Sequence, residues 1–169
     1  MSAGPHRLVE RLQRVPDLTV QPGVSLAAHT TLRIGGPAEW LVDVPTLRGL
    51  RELLSVVDAT GAPFCLLGLG SNVLIPDEGL PGVVVHLRGY FRRWRLSGRR
   101  VSAGGAIALG QLARKMCQRG LTGLEALSGF PSTVGGAVYM NAGCYGTEIK
   151  DVLVRATVVD AAGRLRKLS

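Results

Sequence analysis

Aromatic residues make up only 5% of the 169-residue chain, cysteine appears three times, and charged residues reach just 19%. No apolar run approaches the roughly 20 residues that a membrane-spanning helix needs. Each shortage removes a class of protein. Cys65, Cys117 and Cys144 share no C-x-x-C or Cys/His spacing, which supports neither a disulfide framework nor a zinc site and predicts three reduced, mostly buried thiols. His6, His29 and His86 stand isolated in the chain, so core or surface roles are expected for them rather than metal ligation. The segment from Met1 to Val15 mixes His6, Arg7, Glu10, Arg11 and Arg14 with scattered aliphatics. It lacks the apolar stretch of a secretory signal, and a cytoplasmic location is expected.

What the chain has in excess is glycine, 23 residues against a usual share of roughly 7%, together with a 46% apolar fraction that excludes a disordered polypeptide. The net charge of +8 favours anionic ligands in general terms. Leu8, Leu12 and Val15 predict a short helix ended by Pro16, and Ala38 to Val44 a strand. Thr46 caps a predicted helix through Ala59, and Gly61-Ala62-Pro63 turns the chain into a short buried strand, Phe64 to Leu67. Val73 to Ile75 and Val83 to Val85 follow as strands, then Phe91 to Leu96 paired with Arg100 to Ala103. Leu109 to Cys117 reads as a helix closed by Gly120, Leu121 to Gly146 as a long glycine-rich loop, and Val152 to Leu168 as a hairpin. The architecture expected is α+β, two lobes sharing a cleft: residues 1–24 as a lead-in, 25–90 as the first lobe and 91–169 as the second.

Two loops carry the candidate chemistry. Gly68, Leu69, Gly70, Ser71, Asn72 and Val73 lie between apolar runs, where successive amides can converge on a phosphate and the two polar side chains can add donors. The dinucleotide fingerprint is excluded because its third glycine is missing and Pro76 prevents the helix that should follow; a P-loop is excluded because no Gly-Lys-Ser/Thr occurs. The second loop runs through Ser128, Pro131, Ser132, Thr133, Val134, Gly135, Gly136 and Ala137 and continues through Asn141, Gly143, Tyr145 and Gly146. It can bring backbone amides against a flat ring or a phosphate, or it can simply be a loop that needs unusual dihedrals. Ser71 and Ser132 have no histidine near them in sequence and no nucleophile-elbow setting, so neither reads as a nucleophile.

Taken in order, His29-Thr30-Thr31-Leu32-Arg33-Ile34-Gly35-Gly36-Pro37-Ala38, Leu67 to Gly79 and Gly123 to Gly146 resemble the MurB family of UDP-N-acetylenolpyruvoylglucosamine reductases. The resemblance spans residues 25 to 160. It implies a two-lobed FAD-binding domain of the PCMH, or vanillyl-alcohol oxidase, type, C-terminally truncated, with non-covalent FAD held by the residues of the two loops named above. It further implies NADPH as reductant and UDP-N-acetylglucosamine enolpyruvate as the substrate of the full-length enzyme, in the synthesis of peptidoglycan precursors. The family's catalytic arginine in a Y-R-x-S segment, its proton-donating serine and its glutamate are expected beyond Ser169, together with the substrate-binding domain; no catalytic residue is assigned here, and the fragment is expected to be inactive alone. No nucleic acid, membrane or obligate protein partner is expected. The alternatives are the FAD domain of another PCMH-type oxidoreductase and, from a different class, a nucleic-acid-binding module built on Arg88, Arg92, Arg93, Arg95, Arg99 and Arg100 around Tyr90, Phe91 and Trp94.

Overall fold

The computed structural model describes residues 5–169, so the first four residues of the amino-terminal segment lie outside it. Helix α1 (Pro5–Gln13) packs Leu8 and Leu12 beneath a four-stranded sheet in the order β1-β2-β4-β3, formed by Thr19–Ser25, Pro37–Val44, Leu80–Leu87 and Phe64–Leu66 respectively. Strands β2, β4 and β3 run parallel and β1 antiparallel. Helix α2 (Leu47–Thr60) begins where the Thr46 hydroxyl accepts from the Gly49 amide at 3.0 Å and ends at Gly61 in the left-handed region, φ 64°. Its Leu53, Val56 and Val57 close one core with Val42, Val44, Val83 and Val85. The opposite sheet face, with Leu41 and Val84, is covered by Leu26 of the 3-10 turn Leu26–His29 and by Leu67 and Ile75 from loops rather than by an α-helix.

The second half builds its own core. Strands β5 (Trp94–Ser97) and β6 (Arg100–Ala103) form a hairpin that turns Trp94, Leu96, Val101 and Ala103 onto Ile107, Leu112 and Met116, while Arg95, Ser97, Arg100 and Ser102 face water. Helix α3 (Leu109–Cys117) closes through Gly120 at φ 71°, with Leu121 N donating to Met116 O at 3.1 Å. Helix α4 (Val134–Met140) leads into two short strands, β7 (Gly143–Cys144) and β8 (Thr147–Glu148), and a helical turn, α5 (Ile149–Val152). The final hairpin of β9 (Ala156–Val159) and β10 (Leu165–Leu168) packs Val159 against the first core. Arg51 Nε on α2 donates to Gly163 O at 2.7 Å and ties that hairpin down. Among the described residues no helix is long and apolar enough to cross a membrane.

Several expectations are corrected. Thr19–Ser25 is a strand that Pro22 and Gly23 hide from a periodicity reading; an edge position tolerates both. Phe64 and Leu66 are 48% and 57% exposed because β3 pairs on one side only and lies at the sheet edge. Val73 to Ile75 is irregular, since it crosses the loop before β2 instead of lying beside a strand. Phe91 belongs to a 3-10 turn, Gly89–Arg92, that inserts its ring into the core, and β5 starts only at Trp94. The loop from Leu121 to Gly146 contains a 3-10 turn, Glu125–Leu127, as well as helix α4, which a Thr133 cap and buried Ala137 stabilise despite two glycines in its first turn. Val152 ends α5, and the last hairpin starts at Ala156. Cys117 is exposed and Cys65 and Cys144 are half-buried, so none of the thiols is fully enclosed. His29 and His86 are neighbours, with ring centroids 5.6 Å apart.

These positions separate two leucines that look alike in sequence. Leu53→Ala should lower unfolding free energy by about 2–5 kcal/mol, because it opens a cavity at a fully buried site, whereas Leu66→Ala should cost less than about 0.5 kcal/mol. Urea denaturation of the two variants checks the contrast.

Candidate functional site

The three glycine-containing segments interlock. Thr31 N donates to Gly70 O at 3.0 Å, and Thr30, buried at 7% exposure, turns its hydroxyl onto Ile34 O at 2.8 Å to hold the 29–34 loop. Gly70 sits at φ 64° with its α-carbon so close to the His29–Thr30 backbone that a Cβ would overlap the His29 carbonyl oxygen. At Gly68 a Cβ would stand 2.9 Å from Thr133 Oγ1, so the first loop touches the second. The second loop is braced in turn: Leu109 N donates to Ser132 O, Val134 N to Ile107 O and Gly135 N to Gly105 O, each at 2.8 Å.

The two loops differ in what their amides do. Gly136 N donates to Thr133 Oγ1 at 3.1 Å and Ala137 N to Thr133 O at 2.9 Å, so the amides from Val134 to Ala137 are all used inside the protein. Ser132 and Thr133 are buried, and the Ser132 hydroxyl donates to Thr133 O at 2.9 Å. By contrast, none of the amides from Gly68 through Leu74 donates a hydrogen bond among the described residues, and Ser71 to Leu74 are exposed. An exposed run of unpaired N–H groups is a fitting cradle for an anion. Thr30, Thr31 and Arg33 line a recess beside it, with Arg33 held at φ 55°.

Asn141, expected to face a ring with free hydrogen-bonding capacity, is instead the left-handed cap of α4 at φ 45°: its Nδ2 donates to Glu148 Oε2 and its Oδ1 accepts from Lys150 N, both at 3.0 Å. Gly143, Tyr145 and Gly146 line an open recess next to Glu148, Lys150 and Asp151. Tyr145 is 92% exposed at φ 51°, an unusual backbone conformation for a bulky residue. Ser128 and Pro131 flank this framework; the Ser128 carbonyl accepts from Arg114 Nη1 at 3.1 Å. Sequence reasoning misses Arg33 because nothing in an isolated arginine announces a left-handed backbone.

Beneath the first loop lies a group that sequence reading does not connect with it. His86 on β4 meets the His29 ring edge to face and lies 3.4 Å from Asp43 Oδ1 through Nδ1, without hydrogen-bond geometry; Arg88 Nε holds that same carboxylate at 3.1 Å. Burial is the first cause that lowers the His86 pKa to about 4, and Arg88 adds to it while Asp43 opposes it. The imidazole is therefore neutral at pH 7.

Residues 39–169 match the family model described as FAD binding domain. The chain is 37% identical over 144 residues to the UDP-N-acetylenolpyruvoylglucosamine reductase of Bacillus velezensis, covering 85% of this chain and 48% of the relative. A solved structure of the corresponding MurB from Thermus caldophilus superposes with a TM-score of 0.77 at 39% identity, covering 89% of this chain and 52% of that one. A single-residue variant of berberine bridge enzyme shares the fold with a TM-score of 0.70 at 15% identity over 95% of this chain and 37% of the other. The chain spans about half the length of the curated relatives it matches.

The buried imidazole generates a pH prediction. A folded pKa below the unfolded value of 6.5 means that stability is full above pH 6.5 and is lost as pH falls toward 4, by about 1–3 kcal/mol. Urea unfolding at pH 7 and pH 4.5 should show this loss in the parent, and His86→Leu should show a correspondingly smaller one. An equal loss in both proteins would assign the pH effect to other groups.

Proposed function

We propose, from the premise that this chain belongs to the FAD binding domain family, that it is the flavin-holding portion of a UDP-N-acetylenolpyruvoylglucosamine reductase. The observation that carries the reading is the run of unpaired amides from Gly68 to Leu74, held by contact with the His29–Thr30 backbone and the Thr133 side chain. Those amides and the Ser71 and Asn72 side chains would hold the pyrophosphate of FAD. The rest of the cofactor would lie along the second loop, where Ser128 to Ala137 and Asn141 to Gly146 form a braced wall. The amides from Val134 to Ala137 and the Asn141 side chain are already engaged, so that part of the wall supports the ring by shape more than by hydrogen bonding.

FAD, when bound, supplies a two-electron relay from NADPH to the enolpyruvyl double bond, and a proton completes the reduction to the lactyl ether of UDP-N-acetylmuramate. The chain's own part is to bind, orient and shelter. Arg33 offers a guanidinium on the loop bonded to Gly70, a suitable counter-charge for phosphate. No residue of the chain is given the proton donor's role in this proposal. A cytoplasmic setting is part of the same proposal. A different PCMH-type oxidoreductase would share the fold, but the 39% identity with the Thermus enzyme, against 15% with berberine bridge enzyme, favours the reductase.

The decisive variant is Ser71→Asp. Ser71 is exposed, so the change spares the packing, yet it sets a carboxylate against the phosphates; FAD should bind at least about tenfold more weakly with an unchanged melting transition. Flavin fluorescence titration measures this, and an unaltered affinity places the pyrophosphate elsewhere. Given FAD, NADPH and the UDP-enolpyruvyl sugar, the chain alone should show no substrate-dependent NADPH oxidation. Turnover comparable with a full-length reductase would overturn the assignment of the catalytic residues.

A further inference from the structure

Leu26 and His29 stand at the two ends of a 3-10 turn, Leu26–His29, and side chains three apart in such a turn lie on one face. On the sheet, Val84 and His86 are two apart on β4 and Leu41 and Asp43 are two apart on β2, so each pair also shares a face. The spacings agree, because three residues of 3-10 helix rise roughly 6 Å and two residues of strand roughly 6.6 Å. Leu26 packs with Leu41 and Val84, and His29 meets His86 edge to face, with ring centroids 5.6 Å apart and planes at 86°. The turn is thus seated on the sheet at two points, an apolar contact at Leu26 and a ring pair at His29.

The His29 end is the one that bears on the first glycine loop. A Cβ at Gly70 would stand 2.3 Å from the His29 carbonyl oxygen and 2.7 Å from Thr30 Cα, while Thr31 N donates to Gly70 O at 3.0 Å. The Thr30 hydroxyl contacts Ala27 O and Ile34 O, so it shapes this segment without fastening it to the sheet. His86 is fixed by its strand: Arg88 Nε holds the Asp43 carboxylate at 3.1 Å, and His86 Nδ1 has no hydrogen-bond partner among the described residues. What the His86 ring gives its neighbour is therefore orientation. Ring pairs prefer an edge-to-face arrangement, whereas an aliphatic side chain fills the same space without directing its partner. We propose that His86 is a positioning residue for the first glycine loop: through the His29 ring it fixes the His29–Thr30 backbone on which Gly70 rests, and so sets how tightly the amides from Gly68 to Leu74 hold a phosphate. From the flavin reading it takes only the identity of the ligand, FAD.

The test compares the parent with His86→Leu, His86→Phe, His29→Ala and His29→Ala/His86→Leu at pH 8, by flavin fluorescence titration and by hydrogen exchange of the Thr31 amide without ligand. His86→Leu should weaken FAD binding about three- to tenfold, the scale of one aromatic pair, and speed Thr31 exchange by a similar factor while the amides of β2 and β4 keep the parent's rates. His86→Phe restores a ring and should behave nearly as the parent. His29 is half-buried, so His29→Ala reads the same contact from the loop side; it should match His86→Leu, and the double variant should lose no more than either alone. FAD affinity or Thr31 exchange unchanged in His86→Leu overturns the proposal. So do additive losses in the double variant, failure of His86→Phe to recover, and faster exchange spread over β2 and β4, which reports general loosening. A parent that binds no FAD overturns the flavin reading instead and leaves the exchange pattern to decide this one.

Discussion

Everything in the candidate site depends on two polypeptide segments approaching closer than a β-carbon permits. Gly70 presses its backbone on His29 and Thr30, and Gly68 lies against the Thr133 side chain. These contacts hold the first loop, whose amides from Gly68 to Leu74 have no hydrogen-bond partner among the described residues. An exposed loop with unsatisfied N–H groups is normally mobile, since ordering it costs about 1–2 kcal/mol per residue with nothing gained in return. Here the cost is met by contacts on the other side of the same loop. The run of unpaired amides is thus a by-product of backbone packing, and the two cannot be varied independently: a bulky residue at position 70 disturbs the fold before it meets any ligand.

The same contacts lie on the sheet face that carries no α-helix. Leu26, Leu67 and Ile75 cover Leu41 and Val84 from loops whose ends are pinned by Leu26 N to Gly36 O, Gly36 N to Pro76 O and Thr31 N to Gly70 O, all within 2.9–3.0 Å. Loop cover leaves cavities unless small residues allow the chains to nest, and Gly36, Gly70 and Gly79 supply that nesting. His86 and Asp43 lie on that face, close to the His29 end of the cover. The neutral imidazole there fills space between the sheet and the loop without adding a charge to a poorly hydrated position.

The legible parts of the sequence were those where local chemistry agrees with tertiary packing. Helix α2 has a capping Thr46, leucines at helical spacing and a closing Gly61, and all three act as their residue types suggest. Helix α3 and its Gly120 closure are read the same way. What stayed hidden involved burial from only one side, or contacts between remote segments. Strand β3 is apolar but lies at an edge, and β1 contains a proline and a glycine that only an edge allows. Helix α4 was invisible because Gly135 and Gly136 disfavour a helix on their own by roughly 1 kcal/mol each relative to alanine. Gly135 packs on Gly105 so closely that a Cβ would stand 3.0 Å from the Gly105 carbonyl oxygen, a contact tighter than most side chains make.

For the site, the glycine-rich segments were recognisable but their division of labour was not. In sequence, Gly68 to Asn72 and Ser132 to Ala137 look alike: small residues, hydroxyls and glycines between apolar neighbours. Three-dimensional accounting of donors separates them, because every amide from Val134 to Ala137 finds an acceptor within the protein and none from Gly68 to Leu74 does. A buried amide is almost always satisfied, so engaged donors mark a segment that serves the fold, while an ordered run of free donors on an exposed, anchored loop marks one that serves a ligand. The first loop is therefore the one with donors left for an anion, and the second braces it: it bears on Gly68 through Thr133 and anchors itself to the 105–109 segment through Gly135, Val134 and Ser132.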